Sequence, residues 1–266
     1  MADAYTHGHH ASVLRSHTWR TAENSAAYLL PRLRPGMRVL DVGSGPGTIT
    51  ADLASRVAPG PVVGVDASEE IVVEARRDAE PLGLGNLRFE TGDAYALGFA
   101  DGAFDVVHAH QVLQHVADPV GMLREMRRVA APGGTVAVRE VDYEGTIWSP
   151  GHPELDEWIA LYVRVHRGTS GEPSAGRRLK GWASAAGFER VECSASVWLF
   201  EDERDRAWWG GMWAERVLAS AFADKAEALG LADRAALKRI SEGWRRWAQD
   251  PDGWLLMPHA EILATA

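Results

Sequence analysis

The run Val39-Leu40-Asp41-Val42-Gly43-Ser44-Gly45-Pro46-Gly47 holds the densest chemical signal in the chain. Glycines let a backbone turn tightly and let a ligand approach with no Cβ in the way. A helix starting just after such a turn presents unpaired N–H groups to whatever lies there. Asp66 stands about 20 residues further on, at the end of the next apolar run, where a carboxylate accepts hydrogen bonds from ribose hydroxyls. Two imidazoles, His110 and His115, follow a later apolar run. Histidine titrates near neutral pH, so both are candidates for a general base. The alternative for His115 is a packing or capping role in its turn.

These residues need elements to position them. Arg38–Val42, Val62–Val65, Leu87–Glu90, Phe104–Ala109 and Thr135–Val141 read as short apolar strands. Helical patterns separate them at Thr48–Val57, Glu69–Glu80 and Pro119–Ala130, and a leading helix is expected over Thr21–Leu33. Strands alternating with helices imply a parallel sheet with right-handed crossovers, and ligands sit beyond the carboxyl ends of such strands. A dinucleotide-binding fold is the natural rival. Its G-x-G-x-x-G spacing requires glycine at position 48, where this chain has Thr48, so a nicotinamide-dependent oxidoreductase is the weaker reading.

Read in order, the motifs resemble the class I S-adenosylmethionine-dependent methyltransferases, and most of all the UbiE-type methyltransferase domain. Val39–Gly47 resembles the cofactor loop, Val62–Ala67 the ribose-binding strand end, and Gly92-Asp93-Ala94 the adenine-binding turn. Phe104–Val116 and Arg128–Gly134 complete the set, and the resemblance spans about residues 20–142. It implies an α/β fold, a seven-stranded Rossmann-like sheet that is mostly parallel with its last strand antiparallel. Residues 188–200 and 253–265 would form the antiparallel pair, and helices of 203–249 an insertion or lid. Pro258 argues against a central position for that last strand.

The resemblance also implies roles. Gly43, Ser44 and Gly45 would lie against the methionine and ribose, with Asp41 orienting their loop. Asp66 would hold the ribose, Ala67 and Ser68 would flank the adenine, and Gly92, Asp93 and Ala94 would bind it. His110 and Gln111 would lie near the methionine and methyl group, and Arg20 near the cofactor carboxylate. Acceptor contacts are expected from Asp142, Tyr143, Trp148 and Arg177. Methyl transfer from a sulfonium is an in-line displacement, in which the protein chiefly aligns nucleophile, carbon and sulfur. The cofactor would leave as S-adenosyl-L-homocysteine. A protein of the same fold that holds the cofactor without methylating, such as a cyclase, would carry the same loop.

The division expected along the chain is an arm and leading helix (1–36), a cofactor-binding core (37–142), and acceptor-side helices, lid and final two strands (143–266). Trp208, Trp209, Trp213, Trp244 and Trp247 recur at helical spacings, as core or as an acceptor wall. The chain has 266 residues, 37 acidic and 28 basic, for a formal charge of −9. That balance disfavours nucleic acid and anionic membranes as partners without excluding either, and a small-molecule substrate is expected. One cysteine, Cys193, excludes an intramolecular disulfide and is expected as a buried thiol. No apolar stretch has the length of a signal peptide or membrane span, so a cytoplasmic monomer or homodimer is expected. His7, His9 and His10 cluster without cysteine or carboxylate at ligand spacing, so no metal is expected.

Overall fold

The computed structural model describes residues 18–266, and His7, His9, His10 and His17 of the expected polar arm lie outside them. The chain enters through a four-residue helix, α1 (Ala22–Ser25), capped by the Thr21 hydroxyl, and a 3-10 turn over Leu30–Arg32. The longer helix expected over 21–33 does not form. Pro31 has no N–H to donate to Ala27, which a continuous helix needs.

The α/β rhythm then runs β1 (Val39–Val42), α2 (Thr48–Val57), β2 (Val62–Asp66), α3 (Glu69–Ala79), β3 (Leu87–Thr91), β4 (Phe104–His110), α4 (Pro119–Val129) and β5 (Ala130–Val141). The five strands pair in parallel in the order β3-β2-β1-β4-β5. Val39, Leu40 and Val42 of β1 are all fully buried. A strand covered by helices on both faces needs such a continuous apolar run rather than an alternating one.

Beyond β5 the chain forms β6 (Ile147–Ser149), α5 (Pro153–Gly168), α6 (Leu179–Ala185), β7 (Val191–Phe200), α7 (Glu203–Ala219), α8 (Ala221–Ala228), α9 (Arg234–Gln249) and β8 (Trp254–Thr265). β8 runs antiparallel between β5 and β7. The sheet has eight strands rather than seven, because β6 pairs with residues 254–256 of β8. Pro258 does sit inside this central strand. Its carbonyl accepts from Asp142 N at 2.9 Å. In an extended strand one residue's N and C=O point the same way, so the ring nitrogen faces the gap where the β5 ladder ends and that of β6 begins.

Most of the late tryptophans are core, though Trp254 is exposed. Trp158, Trp213, Trp244 and Trp247 are fully buried in one cluster of α5, α7 and α9, with Trp158 edge-on to Trp213 at 4.7 Å and to Trp244 at 4.8 Å. Such edge-to-face pairs add roughly 0.5–1.5 kcal/mol each beyond burial. Trp148 belongs to the same cluster, against Trp158. Cys193 is exposed, contrary to expectation: it lies on β7, the edge strand, which pairs with β8 on one side alone. No helix among the described residues is long and apolar enough to cross a membrane.

Candidate active site

A cavity of about 830 Å³ opens at the carboxyl ends of the parallel strands. That lies toward the upper end of the roughly 300–1,000 Å³ that ligand pockets enclose. Its floor is the turn from β1 to α2. Gly43 N and Ser44 N donate to Val65 O at 2.7 and 3.0 Å, which ties the turn to the end of β2. Gly43 has φ +72°, and a Cβ there would run into the Val112 side chain. Gly47 caps α2 with φ +82° and is crowded by Phe89, so the run tolerates no side chain at either position.

Asp66 closes β2 and is joined to this turn. One carboxylate oxygen accepts from Gly45 N and the other from Ser68 N, both at 3.0 Å. Each oxygen keeps a second lone pair for a ligand. Asp41 is buried; its oxygens take the Thr50 hydroxyl at 2.6 Å and His108 Nδ1 at 2.7 Å. Asp93, past β3, accepts from Tyr95 N at 2.8 Å. The cavity wall includes these three carboxylates with Gly43, Ser44, Gly45, Ala67, Ser68, Gly92 and Ala94.

Across the sheet, the β4 end supplies His110, Gln111 and His115, and Arg20 reaches in ahead of α1. Gln111 takes the uncommon left-handed backbone, φ 54°. Its amide is the hub of a directed chain. Arg20 donates to Gln111 Oε1 at 3.0 Å, Gln111 Nε2 donates to His259 Nε2 at 2.8 Å, and His259 Nδ1–H donates to Met257 O at 3.0 Å. This order fixes the neutral tautomer of His259. Burial, with the nearby Arg139 charge, holds its pKa well below the usual histidine value.

Behind the wall, Glu140 of β5 is fully buried and accepts from Val112 N at 2.8 Å and Leu113 N at 2.6 Å. It clamps the turn that carries the histidines, and burial pushes its own carboxyl up to about 8. His110 is 5 % exposed, and neither ring nitrogen has a partner among the described residues. Desolvation, with Arg20 and Arg139 close by, holds it well below the usual histidine range. His115 is lowered in the same way, first by burial and then by the adjacent His166. Both are therefore neutral imidazoles at physiological pH. The lowered pKa keeps each in its proton-accepting form and makes it a weaker base than an ordinary histidine.

The acceptor-side residues divide. Tyr143 lines the cavity. Asp142, Trp148 and Arg177 do not: Asp142 and Arg177 form a two-pronged ion pair with each other at 2.7 Å, and Trp148 packs into the helical core. Side chains at 142 and 143 leave the chain in different directions, which proximity to β5 alone did not reveal. Arg216 was missed. It lies on α7, is 3 % exposed, and reaches the cavity wall. A charged residue three positions after Trp213, on the buried stripe, was the signal that marked it.

A methyltransferase-domain family model matches residues 33–171, just over half of the chain. The chain belongs to the class I S-adenosylmethionine-dependent methyltransferases. It is 37 % identical over 97 % of its length to an uncharacterized methyltransferase of Schizosaccharomyces pombe, of which it covers 95 %. A demethylmenaquinone methyltransferase of Beutenbergia cavernae is 42 % identical over 44 % of this chain and 45 % of that protein. Among solved structures, the YcgJ protein of Bacillus subtilis superposes with a TM-score of 0.60, 22 % identity, and coverage of 91 % of this chain and 98 % of that one. These matches make the chain an enzyme and leave the nicotinamide reading without support.

Proposed function

We propose that the enzyme transfers the methyl group of S-adenosylmethionine to a small-molecule acceptor, with residues 37–142 holding the cofactor and residues 143–266 closing the acceptor side. The carrying observation is the junction at Asp66, where one carboxylate is tied both to the glycine turn and to the start of α3 while facing the cavity. On this reading the ribose hydroxyls donate to the free lone pairs of Asp66. The adenine lies along Ala67, Ser68, Gly92 and Ala94, with Asp93 accepting from its amino group. Gly43, Ser44 and Gly45 border the methionine part and Asp41 steadies their turn. Arg20, held by Gln111, faces the methionine carboxylate. His110 stands near the methyl group as a neutral hydrogen-bonding side chain.

The acceptor atom attacks along the line of the methyl–sulfur bond, and that electron pair returns to sulfur as the neutral thioether. Positive charge disappears at sulfur, so a weakly hydrated site favours the step. The lowered pKa of both cavity histidines makes them weak proton acceptors, and the chemistry rests chiefly on alignment. Isothermal titration of the full chain should show saturable binding of S-adenosylmethionine and S-adenosylhomocysteine and none of NADPH. The reverse preference would end this reading.

The histidine argument has its own test. His115→Gln is expected to leave cofactor affinity within about twofold. Turnover should fall by less than the roughly hundredfold that loss of a general base costs. A larger fall with unchanged cofactor affinity would restore His115 as the base.

A further inference from the structure

The free side of the edge strand β7 can be read residue by residue. Just before β7, Arg190 O accepts from Thr265 N at 3.0 Å, so Arg190 turns its backbone groups toward β8. Pairing with β8 is then regular from Val191 opposite Ala264 to Phe200 opposite Leu255. In an antiparallel ladder, alternate residues direct their backbone groups to alternate sides. Glu192, Ser194, Ser196, Trp198 and Phe200 therefore bond to β8. Val191, Cys193, Ala195, Val197 and Leu199 turn their N–H and C=O groups outward, where no strand among the described residues meets them. Such a row is a template for another strand, and folded proteins ordinarily blunt it with charge, proline or a bulge. Residues 193–200, Cys-Ser-Ala-Ser-Val-Trp-Leu-Phe, contain no charged residue and no proline, and their register is unbroken.

The outward-facing residues also carry an apolar surface. Val197 is 50 % exposed and Leu199 49 %, and Cys193 and Ala195 are exposed beside them. On β8, Leu256 lies opposite Leu199 and Pro258 opposite Val197, and Ile147 of β6 flanks Leu256 on its other side, 53 % exposed. An apolar face that runs out to a bare edge marks an interaction surface. The ends of the strand are charged. Arg190 is exposed and has no ion-pair partner among the described residues, whereas Glu192 is paired with Arg32 at 2.6 Å. Glu201 and Asp202 follow the other end, both exposed.

We propose that β7 pairs antiparallel with β7 of a second copy of this chain, about a twofold axis through Ser196. A twofold axis normal to the sheet lays an edge strand antiparallel to itself and keeps its two faces on their own sides, so one surface serves both partners. Charge selects the register. With the axis at Ser196, Arg190 lies opposite Asp202 of the second copy at both ends of the pair. An axis at Ala195 would set Glu189 against Glu201, and an axis at Val197 would set Glu192 against Asp202. Like charges directly opposite are destabilising, and opposite charges favour pairing. The Ser196 register also places Cys193 opposite Leu199 and Ala195 opposite Val197, each twice, with their outward backbone groups joined. A strand of an unrelated protein would use the ladder but would not bring this match of charge at both ends, so a second copy is the occupant.

Sedimentation of the full chain over a range of concentrations tests the pairing, and a species of twice the chain mass is expected. Ala195→Lys with Val197→Lys sets like charges opposite each other across the axis. That double variant should sediment as a monomer with an unchanged circular dichroism spectrum. Val197→Ile should remain dimeric, which separates lost pairing from lost folding. Disulfide trapping reads the register. Cys193 is the chain's one cysteine. In this register its two copies stand about 20 Å apart along the pair, beyond the roughly 4.4–6.8 Å that a disulfide spans between Cα atoms. Diamide should therefore leave the wild type uncrosslinked, and should join position 199 of Leu199→Cys to Cys193 of the other copy. A monomer at every concentration, a dimer that survives both lysines, a crosslink in the wild type, or none in Leu199→Cys would each overturn the inference.

Discussion

Replacing Asp66 with alanine is expected to weaken S-adenosylhomocysteine binding by about 10- to 100-fold, the equivalent of about 1–3 kcal/mol. Two losses add. The ribose hydroxyls lose an ionised acceptor, and hydrogen bonds to a charged group are the stronger kind. Gly45 N and Ser68 N also lose the oxygens that tie the glycine turn to the head of α3 at 3.0 Å each. The bound shape of the turn is then no longer prepared in the free protein, and ordering it draws on binding energy. Asp66→Asn separates the two contributions. It keeps one oxygen for a backbone N–H but lacks the charge, so its affinity should fall between wild type and alanine. Titration calorimetry on folded protein reads all three. Wild-type affinity in the alanine variant would remove Asp66 from the cofactor site.

Acidification from about pH 6.5 toward pH 4 is expected to destabilise the fold by several kcal/mol. His166 is fully buried, and its Nε2–H donates to Gln114 O at 2.8 Å. Burial takes its pKa down from 6.5 to about 4. In that window the unfolded chain holds a proton at His166 that the folded chain refuses. The stability it contributes is full above pH 6.5 and is lost as pH falls through the window, on the order of 3 kcal/mol for this one group. His110, His115 and His259 are lowered too and act with the same sign. Glu140 opposes them. Its folded pKa is raised to about 8, so the native state binds the extra proton between 4.5 and 8 and stability rises on acidification. One opposing group does not cancel four. Urea midpoints should therefore fall between pH 7 and pH 5, and His166→Gln should reduce the fall. A midpoint independent of pH across that range would contradict the burial argument.

Much of the local architecture at the glycine turn was legible in the amino-acid order. The glycine turn and Asp66 are local signals: a strand end, a tight turn and a helix start leave their marks within a few residues of one another. The core tryptophans were visible as helical stripes, yet one-dimensional spacing does not distinguish a stripe facing other helices from one facing a ligand. Cys193 was misread because alternation along β7 does not disclose that the strand lies at the edge. Pro258 looked disfavoured because the break between two partners of β8 has no counterpart in the local sequence.

The acceptor side was the least legible part. Asp142 and Arg177 are 35 positions apart and cancel each other, while Arg216 comes some 70 positions after Tyr143 to reach the same wall. By itself, then, the amino-acid order determined the α/β rhythm, the family and the glycine turn, because those follow from backbone freedom and short-range periodicity. Only the tertiary structure decided which side chains share the cavity and which histidines burial holds neutral. Desolvation and ion pairing depend on neighbours distant along the chain, and those neighbours exist only once the helices have packed on the sheet.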